Sequence, residues 1–176
     1  AIGNEFRALV LLDLLNSIAR FADSLHAEVP VISEASVITL REGRHPLLML
    51  LQKERGGKEV VPLDLTLGEA STIMVITGPN AGGKTIAIKT TGLLLLMALT
   101  GIPVPAASTS VFPLVSALLV DIGDEQSIEE SLSTFSAHVS RIAGILDEAG
   151  GRTLVLLDEL GTGTEPGQGA AIACAV

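Results

Sequence analysis

Ile76-Thr77-Gly78-Pro79-Asn80-Ala81-Gly82-Gly83-Lys84-Thr85 is the stretch on which the reading of this chain turns. From Gly78 to Thr85 it satisfies the pattern G-x-x-x-x-G-K-[ST]. On its amino side, Ser71 to Thr77 is a short apolar, β-rich run that reads as a central parallel strand. On its carboxyl side, Lys84 to Thr100 reads as a buried helix, apolar on nearly every side and closed by Gly101 with Pro103 beyond. Glycines let such a turn wrap with its N–H groups pointing inward, and the helix start adds partial positive charge, which together suit a phosphate. Lys84 would then reach the outer phosphates as a point charge and the Thr85 hydroxyl would ligate magnesium. A plain Gly-rich turn is the competing explanation. Average residue usage gives it roughly one chance match per hundred chains or fewer at this length, so the phosphate reading is preferred.

Working outward, Thr153-Leu154-Val155-Leu156-Leu157 reads as a second central strand ending in Asp158-Glu159. A carboxylate at that strand end can hold magnesium through water, and its neighbour can orient or activate an attacking water. Two acids ending a strand mean little alone; beside a phosphate loop they supply the second half of a site. Ala117 to Ile122 reads as a further strand and Ile128 to Ala149 as a helix. The alternation of strand and helix predicts an α/β fold with a central, mostly parallel sheet.

Leu11, Leu14, Leu15, Ile18, Phe21, Ala22 and Leu25 fall on one helical stripe, which breaks near Glu28 before Pro30. Val37 to Leu40 is a strand candidate, followed by the turn-like Arg41 to Pro46, where His45 is expected to fix the turn and bond backbone. Gln52 to Lys58 reads as a loop, and Val60 to Leu65 as extended, with Pro62 pointing to an edge.

The chain has 176 residues, 48% of them hydrophobic and 2% aromatic, with a formal net charge of −9 and one cysteine. That is long enough for a sizeable core, and too apolar for a disordered acidic tail. A lone Cys174 excludes a disulfide scaffold within the chain and fits a reducing cytosol. Gly92 to Ala107 is shorter than a bilayer span and interrupted by Pro103 and Pro105, so no membrane segment is expected. An acidic surface without Trp or Tyr is a poor nucleic-acid platform by itself. His26, His45 and His138 lack metal-ligand spacing; His138 reads as a helix-surface or interface residue.

The ordered set of motifs resembles the ATPase domain of the MutS family. Beside the phosphate loop stand Arg44-His45-Pro46, then Leu132-Ser133-Thr134-Phe135, then Leu157-Asp158-Glu159-Leu160-Gly161-Thr162-Gly163-Thr164. Asp124-Glu125-Gln126-Ser127-Ile128, Ser136-Ala137-His138 after the signature, and Thr85-Ile86-Ala87 after the lysine are similar to the type-two branch. Mismatch-repair members usually carry serine after that lysine.

The resemblance implies an ABC-like P-loop ATPase. Residues 1–28 would be the end of a lever or core-domain helix and residues 29–176 an ATPase domain incomplete at its C-terminus. It implies ATP or ADP and Mg2+ as ligands. Gly78 to Thr85 with Ile86 would bind nucleotide, Thr85 and Asp158 the metal, and Glu159 would activate water beside Lys84. Ser133 would approach the nucleotide of the other subunit, making a homodimer the catalytic unit. Val60 and Val61 stand where the family packs adenine, with ordinary edge-strand packing as the alternative. The branch further implies a bacterial cytoplasmic protein acting on branched or recombining DNA, or on stalled ribosomes, through portions outside this chain, including a nuclease domain. A mismatch-repair ATPase domain and a nucleotide-gated binding module with incidental hydrolysis are the rival readings.

Overall fold

The computed structural model describes residues 2–79, 82–122 and 131–160, with Gly167, Gly169 and Ala171 beyond them. The helical stripe near the start forms α1 (Ile2–Leu25). It closes in a Schellman motif: the His26 amide donates to Asp23 O (3.3 Å) and that of Ala27 to Ala22 O (2.9 Å). His26 takes the left-handed φ of 50° that glycine more often supplies. Only the end of the stripe is covered: Leu25 is buried, whereas Leu11, Leu14 and Leu15 are exposed.

The chain divides into two compact units, residues 1–82 with 89–114, and residues 83–88 with 115–176. The first contains a four-stranded sheet in the order β1 (Val31–Ser33), β4 (Val111–Pro113), β2 (Ile38–Gly43), β3 (Leu63–Leu67). β1 and β4 run parallel, with Ile32 opposite Phe112. β2 is antiparallel to both β4 and β3, and its register with β3 shifts between Leu40 and Gly43. At that irregularity the Glu42 amide is caught by Asp64 Oδ1 (2.9 Å). The core of this unit is Leu25, Leu40, Leu94, Leu95, Val104 and Phe112, all essentially inaccessible to solvent. Burying each such side chain contributes roughly 1.5–3 kcal/mol. Leu94 and Leu95 come from α3 (Lys84–Leu99). As the sequence predicts, α3 stops before Gly101, where the Gly101 amide bonds Ala98 O (3.1 Å) and that of Ile102 bonds Met97 O (2.9 Å).

Between β2 and β3 lies α2 (Pro46–Arg55), which takes in Pro46 of the expected turn and residues 52–55 of the expected loop. Pro46 sits at its first turn, where a missing N–H costs nothing, and Lys53 and Arg55 complement the dipole in its last. His45 precedes it as N-cap but makes no capping hydrogen bond, and its Nδ1 is buried without a partner among the described residues. Its carbonyl, by contrast, accepts the Met49 amide at 3.1 Å. Burial first, and the positive charge of Lys89 second, hold its imidazole below the ordinary 6.5.

The second unit contains β5 (Ala117–Asp121) and β6 (Thr153–Leu157), paired in parallel from Ala117↔Thr153 to Asp121↔Leu157. Between them in sequence runs α4 (Ser131–Glu148), whose Ile142 is buried, as is Leu154 of β6. The alternation of strand, helix and strand expected here is present.

The single, mostly parallel central sheet is not: the described strands form a mixed four-stranded sheet and a separate parallel pair. Residues 71–77, expected as a central strand, belong to no ladder among the described residues. Within that run Ile73 is engaged locally. Its carbonyl accepts from Ser71 Oγ (2.9 Å) and its amide donates to the same hydroxyl (3.2 Å), which takes both groups a ladder would use. Among the described residues, no helix is long and apolar enough to cross a membrane.

Candidate functional site

The loop after residue 77 begins with Gly78 at a φ of 152°, and the Gly82 amide donates to Pro79 O at 2.9 Å. Gly83, at a φ of 82°, delivers the chain into α3, with Ala87 N donating to Gly83 O (2.9 Å) as its opening turn closes. Only a residue without Cβ holds that φ cheaply, which is the physical content of the second motif glycine. Lys84 and Thr85 therefore occupy the first turn of α3, where backbone amides lack intrahelical acceptors and the dipole favours an anion. Both are half-buried, while Ile86 is exposed. Asn80 and Ala81 lie outside the described residues.

Gly78, Pro79 and Gly82 fall in the first compact unit; Gly83, Lys84, Thr85 and Ile86 fall in the second, together with Ser133, Asp158 and Glu159. Asp158 follows directly on β6. Its amide donates to the carbonyl of Asp121 at 2.9 Å, carrying the parallel ladder one residue past the strand. Its Oδ1 accepts the Glu159 amide at 3.0 Å. Glu159 is exposed and stands at a φ of 51°, a sparsely populated region for a residue other than glycine. The strand end thus ties down one carboxylate and turns the next one outward. Ser133 lies in α4. Gln126 and Gly161 to Thr164 lie outside the described residues.

Oxygen donors from Thr85 and Asp158 suit Mg2+, a hard ion that takes one or two protein oxygens and completes its shell with phosphates and water. Among the described residues no group of three or more His, Cys, Asp or Glu is arranged to enclose a metal.

Val60 and Val61 precede β3 in the first unit; Val60 is half-buried and Val61 is 84% exposed. Close to them in sequence, Glu59 pairs with Arg44 at 3.9 Å. An open cavity of about 390 Å3 is lined there by Glu28, Glu42, Glu59 and Arg44 among others. Three carboxylates against one guanidinium disfavour a phosphate, so this cavity is not an anion site.

Sequence reasoning missed one cluster. Asp121, at the end of β5, is 6% exposed and its Oδ1 accepts from Arg141 Nε at 3.0 Å. His138 Nδ1 lies 2.8 Å from Oδ2, at ion-pair distance though without an aligned hydrogen bond. Of the two expected settings for His138, helix surface or interface, the first gives way to a side chain drawn in against Asp121. The available signal was the spacing of His138 and Arg141, one helical turn apart and both able to face one strand-end acid.

The family model for MutS domain V matches residues 74–176, from the run before the phosphate loop through both carboxylates of the β6 end. The chain belongs to the MutS family. Its kinship lies with the type-two branch, as the resemblance implied. It is 48% identical over 172 residues, 98% of the chain, to the Endonuclease MutS2 of Pelotomaculum thermopropionicum. To that of Clostridium acetobutylicum it is 44% identical over 176 residues, and to that of Clostridium botulinum 46% identical over 165 residues. The chain spans about a fifth of the length of these MutS relatives, 21%, 21% and 20% respectively.

Proposed function

We infer that this chain is the ATP-binding and ATP-hydrolysing part of a dimeric, DNA-acting MutS protein. The supporting observation is the Gly78-to-Thr85 motif turning through Gly83 into α3, within a chain whose β6 ends in Asp158-Glu159. In this reading Lys84 and the amides of the first α3 turn hold the β- and γ-phosphates, and Thr85 and Asp158 hold magnesium. The magnesium ion would supply charge neutralisation on the phosphates. Glu159 accepts a proton from water, whose oxygen bonds the γ-phosphorus as the bond to the β–γ bridging oxygen breaks, giving ADP and inorganic phosphate. Ser133 contributes from the second copy, and Val60 and Val61 lie against the base. Residues 1–28 are then the end of a helix from a neighbouring lever domain, consistent with the exposed apolar side chains of α1.

The name of the relatives, an endonuclease, favours DNA as the target, and branched recombination intermediates are the structure we propose. The test is calorimetric binding of magnesium-ATP together with phosphate release by the full-length protein. Lys84→Ala should weaken binding by more than about tenfold, and Glu159→Gln should keep binding while turnover falls by at least about a hundredfold. Wild-type binding by Lys84→Ala would refute the site. Stimulation of turnover by ribosomes and not by four-way DNA junctions would replace the target.

A further inference from the structure

Asp121 is bonded in two directions by two different parts of the residue. Its main-chain carbonyl accepts the Asp158 amide at 2.9 Å, on the strand end that carries the two candidate carboxylates. Its buried side chain turns to α4 and engages His138 at 2.8 Å and Arg141 at 3.0 Å. A carboxylate can only accept, so both contacts depend on the one Asp121 side chain. Two contacts one turn apart on a helix fix both its rotation and its axial position. A single exposed ion pair would do neither. Asp121, His138, Arg141, Ser133, Asp158 and Glu159 all belong to one compact unit. The helix set by Asp121 is the one that carries Ser133.

We propose that Asp121 is a positioning residue: its side chain, through His138 and Arg141, sets the register of α4 so that Ser133 is presented to the nucleotide of the second copy. This rests on the reading above that Ser133 acts in trans. The division of labour within Asp121 gives the proposal a consequence that a merely structural role lacks. A side-chain substitution leaves the carbonyl in place, so the Asp158 contact survives and the effect is felt at the opposite site of the dimer.

The experiment uses mixed dimers of the full-length protein, one subunit carrying Lys84→Ala, so that a single competent site remains. Dimer formation and melting temperature are read first. Asp121→Ala is placed in the Lys84→Ala subunit, which donates α4 to the competent site, and then, separately, in the nucleotide-binding subunit. Ser133→Ala is carried through the same two placements as a control. In the donating subunit, Asp121→Ala should lower kcat by about tenfold with nucleotide Kd unchanged within about twofold, as expected for a misplaced group. In the nucleotide-binding subunit kcat should stay within about twofold. Should Asp121→Ala fail to give a folded dimer, His138→Ala removes the same helix contact, leaves the carboxylate paired with Arg141, and should show the same asymmetry. A loss confined to the nucleotide-binding subunit, or equal in both placements, overturns the proposal while the Ser133 control still acts in trans. A Ser133 control silent in trans overturns the underlying reading, and the proposal with it.

Discussion

Replacing Gly83 with alanine isolates the contribution of one backbone angle to phosphate binding. Gly83 has a φ of 82°, and a Cβ built on it meets nothing within 4 Å. The cost is therefore conformational and not steric. Holding an L-residue in the left-handed region costs roughly 1–2 kcal/mol. If the loop relaxes without ligand and must return to this angle to wrap phosphate, the cost falls on binding, weakening it by about five- to thirtyfold. Gly82 is the internal control. It has no positive φ, and its added Cβ would rest at 3.5 Å from the Pro79 ring, an ordinary contact. Gly82→Ala adds no left-handed strain, so it should lose less affinity than Gly83→Ala. The assay is calorimetric titration of both variants with magnesium and a non-hydrolysable ATP analogue, with thermal melts to confirm folding. Equal losses in the two variants, or wild-type affinity in Gly83→Ala, would refute the assignment of this angle to ligand binding.

Gly68→Ala should be the more severe glycine substitution for folding. Its Cβ would overlap the Ser36 carbonyl oxygen, at a φ of 102°. Strain and overlap together should cost about 3 kcal/mol or more, read as a lowered urea midpoint, and an unchanged midpoint would refute the close approach. His45 predicts a pH dependence. Its folded pKa lies below the unfolded value of 6.5, so the folded state binds fewer protons. Stability is then full above about pH 6.5 and lost as pH falls toward the depressed folded value. His45→Gln should flatten that acid-side decline in melting temperature, and an identical slope in the variant would show that burial of His45 does not cause it.

The parts legible in the sequence are those whose physics is local. Gly101 closes α3 because a helix end needs a residue tolerant of positive φ, and the glycine announces it. Ala117 to Asp121 and Thr153 to Leu157 announce themselves by unbroken apolar runs, and the carboxylates after the second run follow from strand polarity. Helix α2 is hidden because Pro46, which ends the turn-like stretch from Arg41, is also the first residue of a helix made of strong formers from Leu47 to Leu51. The strands Val31–Ser33 and Val111–Pro113 are too short to carry a period and form by pairing, with each other and, for the second, with β2. Asp121 was silent for a related reason: a lone acid ending a strand has no meaning until α4 folds back over it. At residues 71–77 the reverse holds: the local β pattern predicts a strand, but a ladder also needs partners elsewhere in the fold.

That same run has a practical consequence. Ile73, Met74, Val75 and Ile76 are exposed, with Val75 at 79%, and no charged residue stands between Glu69 and Lys84. A β-rich, uncharged, proline-free window that belongs to no ladder among the described residues is a template for intermolecular strand addition from Met74 onward. Preparations of this chain alone should therefore self-associate with increasing concentration, and any covering of that window should act as a solubility determinant. A single Lys or Glu placed at Val75 would serve as a gatekeeper against such cross-β growth.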